Sequence, residues 1–331
     1  MKARLDNIYF RINFAKKIKK TTFTAMNNNI VSIIIINYNT AKLTADCVQS
    51  IFEYEKVVNF EIIIVDNSSE YDDYKELCLL LANYSQVKII RSKINLGFGG
   101  GNMLGFQHST APFLVFVNSD VLWVEPVLEE LIQFANITPS FGVGGPQVLN
   151  KDYEKSISYR YFEGLRYKLF GRRFLELTKK DKLSKKIHLK TPFTVDFIIG
   201  SFMFFKTNVF ESIGGFDTNI FLYYEETDVS QRLLKSGYKT YFFPQKKYIH
   251  LEGQSSPVNM LLKVEHWLSY FYVTRKNSNL VKYLIIKYYI LLTYFLKAPF
   301  KKKNRYIFKK MLKMQECMAL SMKHNQKAKS I

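Results

Sequence analysis

The chain has 331 residues, 47% of them hydrophobic, and a formal net charge of +20. That length supports one large domain with an appendage or two small domains, and excludes a disordered chain. The charge is concentrated in three segments: residues 1–20 carry +6, residues 151–190 carry +8 and residues 297–331 carry +10, leaving about −4 for the rest. Most of the chain therefore has an ordinary enzyme surface, and basicity alone does not argue for nucleic acid. Cys47, Cys78 and Cys317 are widely spaced and form no CxxC pair, which fits a reducing compartment rather than a disulfide framework or a zinc site.

Residues 1–30 form a basic segment without the apolar core of a signal peptide, so a cytoplasmic chain is expected. From Val31 onward, short apolar runs alternate with helical patterns. "VSIIIIN" (31–37) is a fully buried strand by its unbroken β-branched run, and Leu43, Cys47, Val48, Ile51 and Phe52 follow at helical spacing. "FEIIIVD" (60–66) is a second strand, residues 72–83 a second helix, "VKII" (87–90) a third strand and "PFLVFVN" (112–118) a fourth. This rhythm implies right-handed crossovers, a mainly parallel sheet and an α/β nucleotide-binding architecture. Three strands end in polar residues: Asn37, Tyr38 and Asn39; Asp66 to Ser69; and Asn118 to Asp120. In open α/β sheets, ligands lie beyond such carboxyl ends.

"NLGFGGGNMLGF" (95–106) has glycines that allow close backbone approach to a phosphate and a following helix that could offer free N–H groups; it reads equally as a tight turn. It lacks the third glycine of the dinucleotide pattern and the Gly-Lys-Ser/Thr of a P-loop. "NSD" (118–120) could hold a divalent cation that bridges a diphosphate, or could be a simple Asn-Ser-Asp turn. Residues 151–190 break the strand-helix rhythm. Beyond them come "TVDFIIGSFMFFK" (194–206), a short helix near 207–213, "GGFD" (214–217), an acidic helix from about Tyr224 and "KTYFFP" (239–244). In the acidic helix, Glu225 and Asp228 share a face and Glu226 points elsewhere. First-turn acids also suit the helix dipole, so all three have a plain structural reading. His250 is a possible metal ligand.

From residue 257 the chain is helical, basic and rich in aromatics. Its longest uncharged run, "YYILLTYFL", is far short of the ~20 residues that cross a bilayer. It reads either as an interfacial helix flanked by lysines or as a buried tyrosine-rich helix with a solvated tail.

In order, "VSIIIINYN", "EIIIVDNSS", "NLGFGGGNMLG", "FVNSD", "GSFMFFK", "GGFDTNIFLYYEETDVSQRL" and "IHLEGQSS" resemble the inverting family 2 glycosyltransferases of GT-A fold, particularly their rhamnosyltransferase-like branch, over residues 31–256. The resemblance implies that Asn37, Tyr38, Asn39 and Asp66 bind the nucleotide, and that Asn95, Gly97, Phe98, Gly99 and Asn102 lie against the nucleotide sugar. Asp120 would be the last acid of the metal-binding Asp-x-Asp motif, with Asn118 at its first position, and His250 would complete a site for Mg2+ or Mn2+. Glu226 stands where the family places its catalytic base, usually an Asp; Glu225, Asp228 and Arg232 would support the site.

The implied reaction moves a sugar, best guessed as L-rhamnose from dTDP-L-rhamnose, to a saccharide or polyprenyl-diphosphate-linked acceptor in cell-surface polysaccharide synthesis. UDP-hexose or UDP-N-acetylhexosamine transfer is the nearest alternative. A basic nucleic-acid- or membrane-binding protein without transferase activity is the alternative of another class, although nucleic acid would leave Asp66 and Asp120 unexplained. The expected setting is the cytoplasmic face of the inner membrane, peripherally attached.

Overall fold

The computed structural model describes residues 31–162, 190–251, 260–314 and 320–329. The basic N-terminal segment, most of the 151–190 insertion, Cys317 and the "EGQSS" of the seventh motif lie outside the described residues.

The unbroken apolar runs form strands covered on both faces, because alternate side chains point to opposite sides and both sides are apolar. In β1 (Val31–Asn37), Ile33 and Ile35 pack into one core cluster with Cys47, Val48 and Ile51 of α1 (Ala41–Tyr54). Ile34 packs into the cluster on the other face with Phe116, Phe210, Val229 and Leu233. β2 (Phe60–Asp66), α2 (Tyr71–Leu81), β3 (Val87–Arg91), α3 (Gly97–Phe106) and β4 (Phe113–Asn118) follow as expected from the periodicity.

Strands β1 to β4 pair in parallel in the order β3-β2-β1-β4, and the register aligns their carboxyl ends: Asp66 opposes both Asn37 and Arg91, and Asn118 opposes Ile36. The three expected polar strand ends therefore lie side by side, and β3 adds Arg91 as a fourth.

Three elements were not legible in the sequence. β5 (Val121–Trp123) and α4 (Leu128–Ile137) follow β4, and the wholly buried β6 (Phe141–Leu149) contains three glycines and a proline, residues that normally argue against a strand. A Cβ on Gly144 would come within 2.9 Å of the Phe243 ring, and one on Gly145 within 2.6 Å of Ile198, so these glycines admit neighbours packed directly on the sheet.

After β7 (Tyr159–Arg160), β8 (Phe193–Val195) and β9 (Phe197–Ile198), the antiparallel β10 (Phe202–Lys206) joins β4 to β6. α5 (Thr207–Ser212) and the acidic α6 (Glu225–Lys235) precede β11, which runs from Lys239 to His250. β11 continues well past the expected end at Pro244, because a register irregularity between Phe243 and Lys247 absorbs the proline. Its far end pairs antiparallel with β5, setting His250 opposite Val121 and hence beside Asp120.

Three helices complete the described chain: α7 (Met260–Asn277), α8 (Leu280–Lys297) and α9 (Lys302–Lys313). They share a core of their own around Leu268, Phe271, Ile286, Ile290 and Met311. Among the described residues no helix is long and apolar enough to cross a membrane.

Candidate active site

At the strand ends, hydrogen bonds close on one another. Asn37 is fully buried; its Nδ2 donates to Asp66 Oδ1 (3.1 Å), Ser69 Oγ (3.0 Å) and Asp73 Oδ2 (2.9 Å), and its Oδ1 accepts from Thr40 and Thr44. Asp66 Oδ2 lies 3.4 Å from Arg91 Nε, and the Arg91 guanidinium stacks 4.2 Å from the centre of the Tyr74 ring. Asn39, at φ 55°, accepts at its Oδ1 from the Glu70 amide. Tyr38 is 40% exposed and lines a cavity of about 180 Å³ together with Thr40, Asn67, Asn95 and Gly97.

Asn67 fixes the glycine-rich loop over this cavity. Its Nδ2 donates to Asn95 Oδ1 and the Gly97 carbonyl, and its Oδ1 accepts from the Leu96 amide. The Gly97 amide donates to Asn95 Oδ1 and the Phe98 amide to the Phe221 carbonyl. The N–H groups of residues 96–98, read from sequence as free for a phosphate, are thus satisfied within the protein. Gly97 has φ 72°, and a Cβ there would sit 2.1 Å from the Phe221 carbonyl oxygen. The close approach that demands glycine is made by the protein's own backbone. Gly99 packs over the Asp217 to Ile220 turn. Asn102 is buried and lines neither cavity, and neither of its side-chain polar atoms has a hydrogen-bond partner among the described residues.

Asp120 and His250 come together: Nε2 of the histidine is 3.2 Å from Oδ1 of the aspartate. Two ligands bound cis to one Mg2+ or Mn2+ at about 2.1 Å would lie about 3 Å apart, so this pair of hard donors fits such an ion. Among the described residues no group of three or more His, Cys, Asp or Glu side chains clusters for a metal. The remaining ligands would have to come from substrate and water. Asn118 is half-buried beside them, its amide donating to the Ser201 carbonyl.

The acidic helix divides its carboxylates among three environments. Asp228 is fully buried and ion-paired with Arg232 Nε (2.8 Å) and Lys276 Nζ (2.8 Å), and Lys276 also reaches Asp217 (2.7 Å). Asp228 therefore ties α6 to α7 through Lys276, while Arg232 holds Asp228 within α6 and donates to the Ile213 carbonyl. Glu225 and Glu226 line a second cavity of about 600 Å³, bounded also by Arg160, Tyr223, Tyr224, His250, His266 and Lys282.

Burial pushes the Glu225 carboxyl well above the usual range, and the charge of Glu226 adds to the shift. Burial also raises Glu226, opposed by its own backbone amide and by the Arg160 guanidinium. Tyr223 and Tyr224, at φ 74° and 70°, turn the chain so that α6 begins at the cavity wall. Such conformations cost free energy in a bulky residue and persist only where packing enforces them; here the Tyr224 ring packs on His266 and Tyr270 of α7.

Phe98, Asn118 and Leu222 line both cavities and so form the wall between them. Sequence reasoning missed Arg91, Asn67, Arg160 and the whole contribution of α7. Asn67 had a signal, its place directly after Asp66; Arg160 was one of thirteen cations in a basic stretch.

The model of the glycosyl transferase family 2 matches residues 32–214, more than half the chain. The chain belongs to glycosyltransferase family 2. Among its relatives, a low-salt glycan biosynthesis hexosyltransferase, Agl10 of Haloferax volcanii, is 26% identical over 61% of this chain and 61% of its own length. The dTDP-rhamnosyl transferase RfbF of Shigella flexneri is 24% identical over 70% and 72%. The N-acetylglucosaminyl-diphospho-decaprenol L-rhamnosyltransferase of Mycobacterium tuberculosis H37Rv is 23% identical over 59% and 69%. The match thus spans less than two thirds of the first of these relatives.

Among solved structures, GalNAc-T7 with UDP, GalNAc and Mn2+ superposes with a TM-score of 0.58 at 17% identity, over 75% of this chain and 48% of that one. A Pyrobaculum calidifontis mannosyltransferase in complex with GDP-Man and Mn2+ gives 0.53 at 15% identity, over 95% and 84%. These likenesses show the GT-A fold expected from the sequence.

Proposed function

We propose that the chain transfers a sugar from a nucleotide sugar to a hydroxyl of a saccharide acceptor, with inversion at the anomeric carbon. The observation that carries this reading is the pair of cavities sharing the wall Phe98, Asn118 and Leu222, with Glu226 in the larger cavity and the Asp120–His250 pair beside the wall. A nucleoside would lie against Tyr38, Asn67 and the Asn95–Phe98 loop, which sets the donor sugar at the wall; Asp66 is fully buried behind the cavity, where it holds Asn37 and Arg91. The acceptor occupies the larger cavity, whose lining mixes aromatic rings with polar groups such as Arg160, Gln231, His266 and Asn277, a combination that suits the faces and hydroxyls of a sugar ring.

The acceptor oxygen forms the new bond to the anomeric carbon as the bond to the diphosphate oxygen breaks. The leaving nucleoside diphosphate takes the electron pair, and Glu226 takes the hydroxyl proton. Glu225, more deeply buried than Glu226 and shifted well upward, and Asp228, paired with two cations, are less suited to that role. Asp120 and His250 would hold Mg2+ or Mn2+, whose chemistry when bound is to offset charge on a diphosphate. That two fold neighbours carry a nucleotide or nucleotide sugar with Mn2+ supports this donor set.

Two of the relatives are named rhamnosyltransferases, which favours dTDP-L-rhamnose as donor over UDP-hexoses and UDP-N-acetylhexosamines. The acceptor would be a saccharide on a lipid diphosphate, met at a membrane surface on the cytoplasmic side. The test is to incubate the protein with a panel of nucleotide sugars and Mg2+ or Mn2+ and measure released nucleoside diphosphate. Acceptor-stimulated release from one donor supports the reading, and silence across the panel with lipid-linked saccharides present overturns it.

A further inference from the structure

Helix α8 presents two unlike faces. Ile286 and Ile290 face the helical core, whereas Val281, Ile285, Tyr288, Leu292, Phe295 and Leu296, which recur at helical spacing on the opposite side, are all exposed. Phe300, just beyond the helix, is 84% exposed. An apolar stripe of this length left in water needs a partner.

Charge identifies the partner. From His266 to Gln315 the sequence has no Asp or Glu against twelve Lys and Arg. Lys282, Lys297, Lys301, Lys302 and Lys303 are exposed at the ends of the stripe. A second copy docking on this face would bring like charges together with no acid on either side to compensate them. An anionic lipid surface supplies both an apolar layer for the stripe and counter-charges for the lysines. α8 is too short and too basic to cross that layer, so it lies in the interface plane.

We propose that the outer face of α8 is the surface by which this protein docks on an anionic bilayer, with Tyr288, Leu292 and Phe295 inserted among the head groups. The inference deepens the acceptor reading above and rests on it for one consequence only. Lys282 and Ile286 line the 600 Å³ cavity from the inner side of the same helix, so docking sets that cavity one helix diameter, ~10 Å, from the head groups, within reach of a lipid-linked saccharide.

The test needs no donor or acceptor and is therefore independent of the transfer reaction. The full chain is floated with vesicles of phosphatidylcholine alone and of phosphatidylcholine with phosphatidylglycerol, at low and high salt. The wild type should bind the anionic vesicles and be weakened by salt. The variant combining Tyr288→Asp, Leu292→Asp and Phe295→Asp should bind them at least about tenfold more weakly. Tyr288 and Leu292 are exposed and Phe295 also packs on the Phe308 ring of α9, so the variant's thermal transition should fall only slightly below the wild type, and binding is compared well below both transitions. Lys301→Glu with Lys302→Glu should reduce binding to anionic vesicles while leaving α8 intact. Failure of the wild type to bind, equal binding by the aspartate variant, or a wild-type dimer that the variant converts to monomer without loss of vesicle binding would each overturn the proposal.

Discussion

Behind the smaller cavity, side chains at the strand ends hydrogen-bond to one another, with Asn67 and Asn95 reaching its lining, whereas the larger cavity is lined by groups held away from their ordinary states. Around the first, Asn37, Asp66, Ser69, Asn67 and Asn95 form a closed hydrogen-bond network on the ends of buried parallel strands. Around the second, two consecutive tyrosines adopt positive φ, Glu225 is buried with Oε1 lacking a hydrogen-bond partner among the described residues, and Glu226 is shifted upward by burial. A satisfied network gives a rigid template, fit for an invariant nucleotide. A strained and partly desolvated wall fits the place where a proton must move.

The sharpest way to break this contrast is Glu226→Gln. Transfer should fall by roughly 10²–10⁴-fold in steady-state assays, while calorimetry shows nucleoside diphosphate binding nearly unchanged, because the substitution touches only the larger cavity. Full turnover by this variant would return the role to Glu225 or Asp228.

On the rigid side, Gly97→Ala forces a Cβ into the Phe221 carbonyl at a positive φ. It should lower stability by about 2–4 kcal/mol in denaturant titrations and weaken nucleotide binding together with it. Loss of stability without loss of binding would detach the loop from the nucleotide site.

Lys276→Met leaves Asp217 and Asp228 short of a cation at the seam between α6 and α7. Lys276 is about a third exposed, so the cost should be roughly 1–3 kcal/mol rather than that of a fully buried pair. The Asp217 carboxyl is held below its ordinary value: burial opposes the shift, but Lys276 and hydrogen bonds from Asn219 and Tyr272 outweigh it. Its contribution is therefore present above the unfolded value and is lost as pH falls through the folded one. The variant should lose much of that acid dependence.

The smallest effect is expected from Arg160→Gln. Arg160 opposes the upward shift of Glu226, so its removal should move the acid limb of the transfer profile to higher pH with little change on the alkaline side. An unmoved limb would show that Arg160 and Glu226 are uncoupled in the working enzyme.

The first four strands, their polar ends and the family were legible in the sequence because β-branched runs and terminal polar residues are local signals. β6 was not, since its glycines and proline are explained only by the rings of Phe141 and Phe243 and by Ile198 packed on them. The far end of β11 was hidden behind Pro244, and with it the register that brings His250 to Asp120. The glycine loop read equally as a phosphate cradle or a tight turn, and the amides of residues 96–98 are taken by Asn67, Asn95 and Phe221. Of the C-terminal helices, α7 is largely buried, and α8 keeps an apolar face outside, a division the sequence pattern left open.

By itself the sequence determined which residues could do chemistry and on which elements they stand, because hydrophobic periodicity and strand-end polarity are written locally. Only the tertiary structure gives Glu225, Glu226 and Asp228 their different environments. Those three acids lie within one turn of one helix and have the same intrinsic chemistry. What separates them is the burial of Glu225, the Arg232 and Lys276 cations on Asp228 and the cavity in front of Glu226, all contributed wholly or in part by residues distant in the chain.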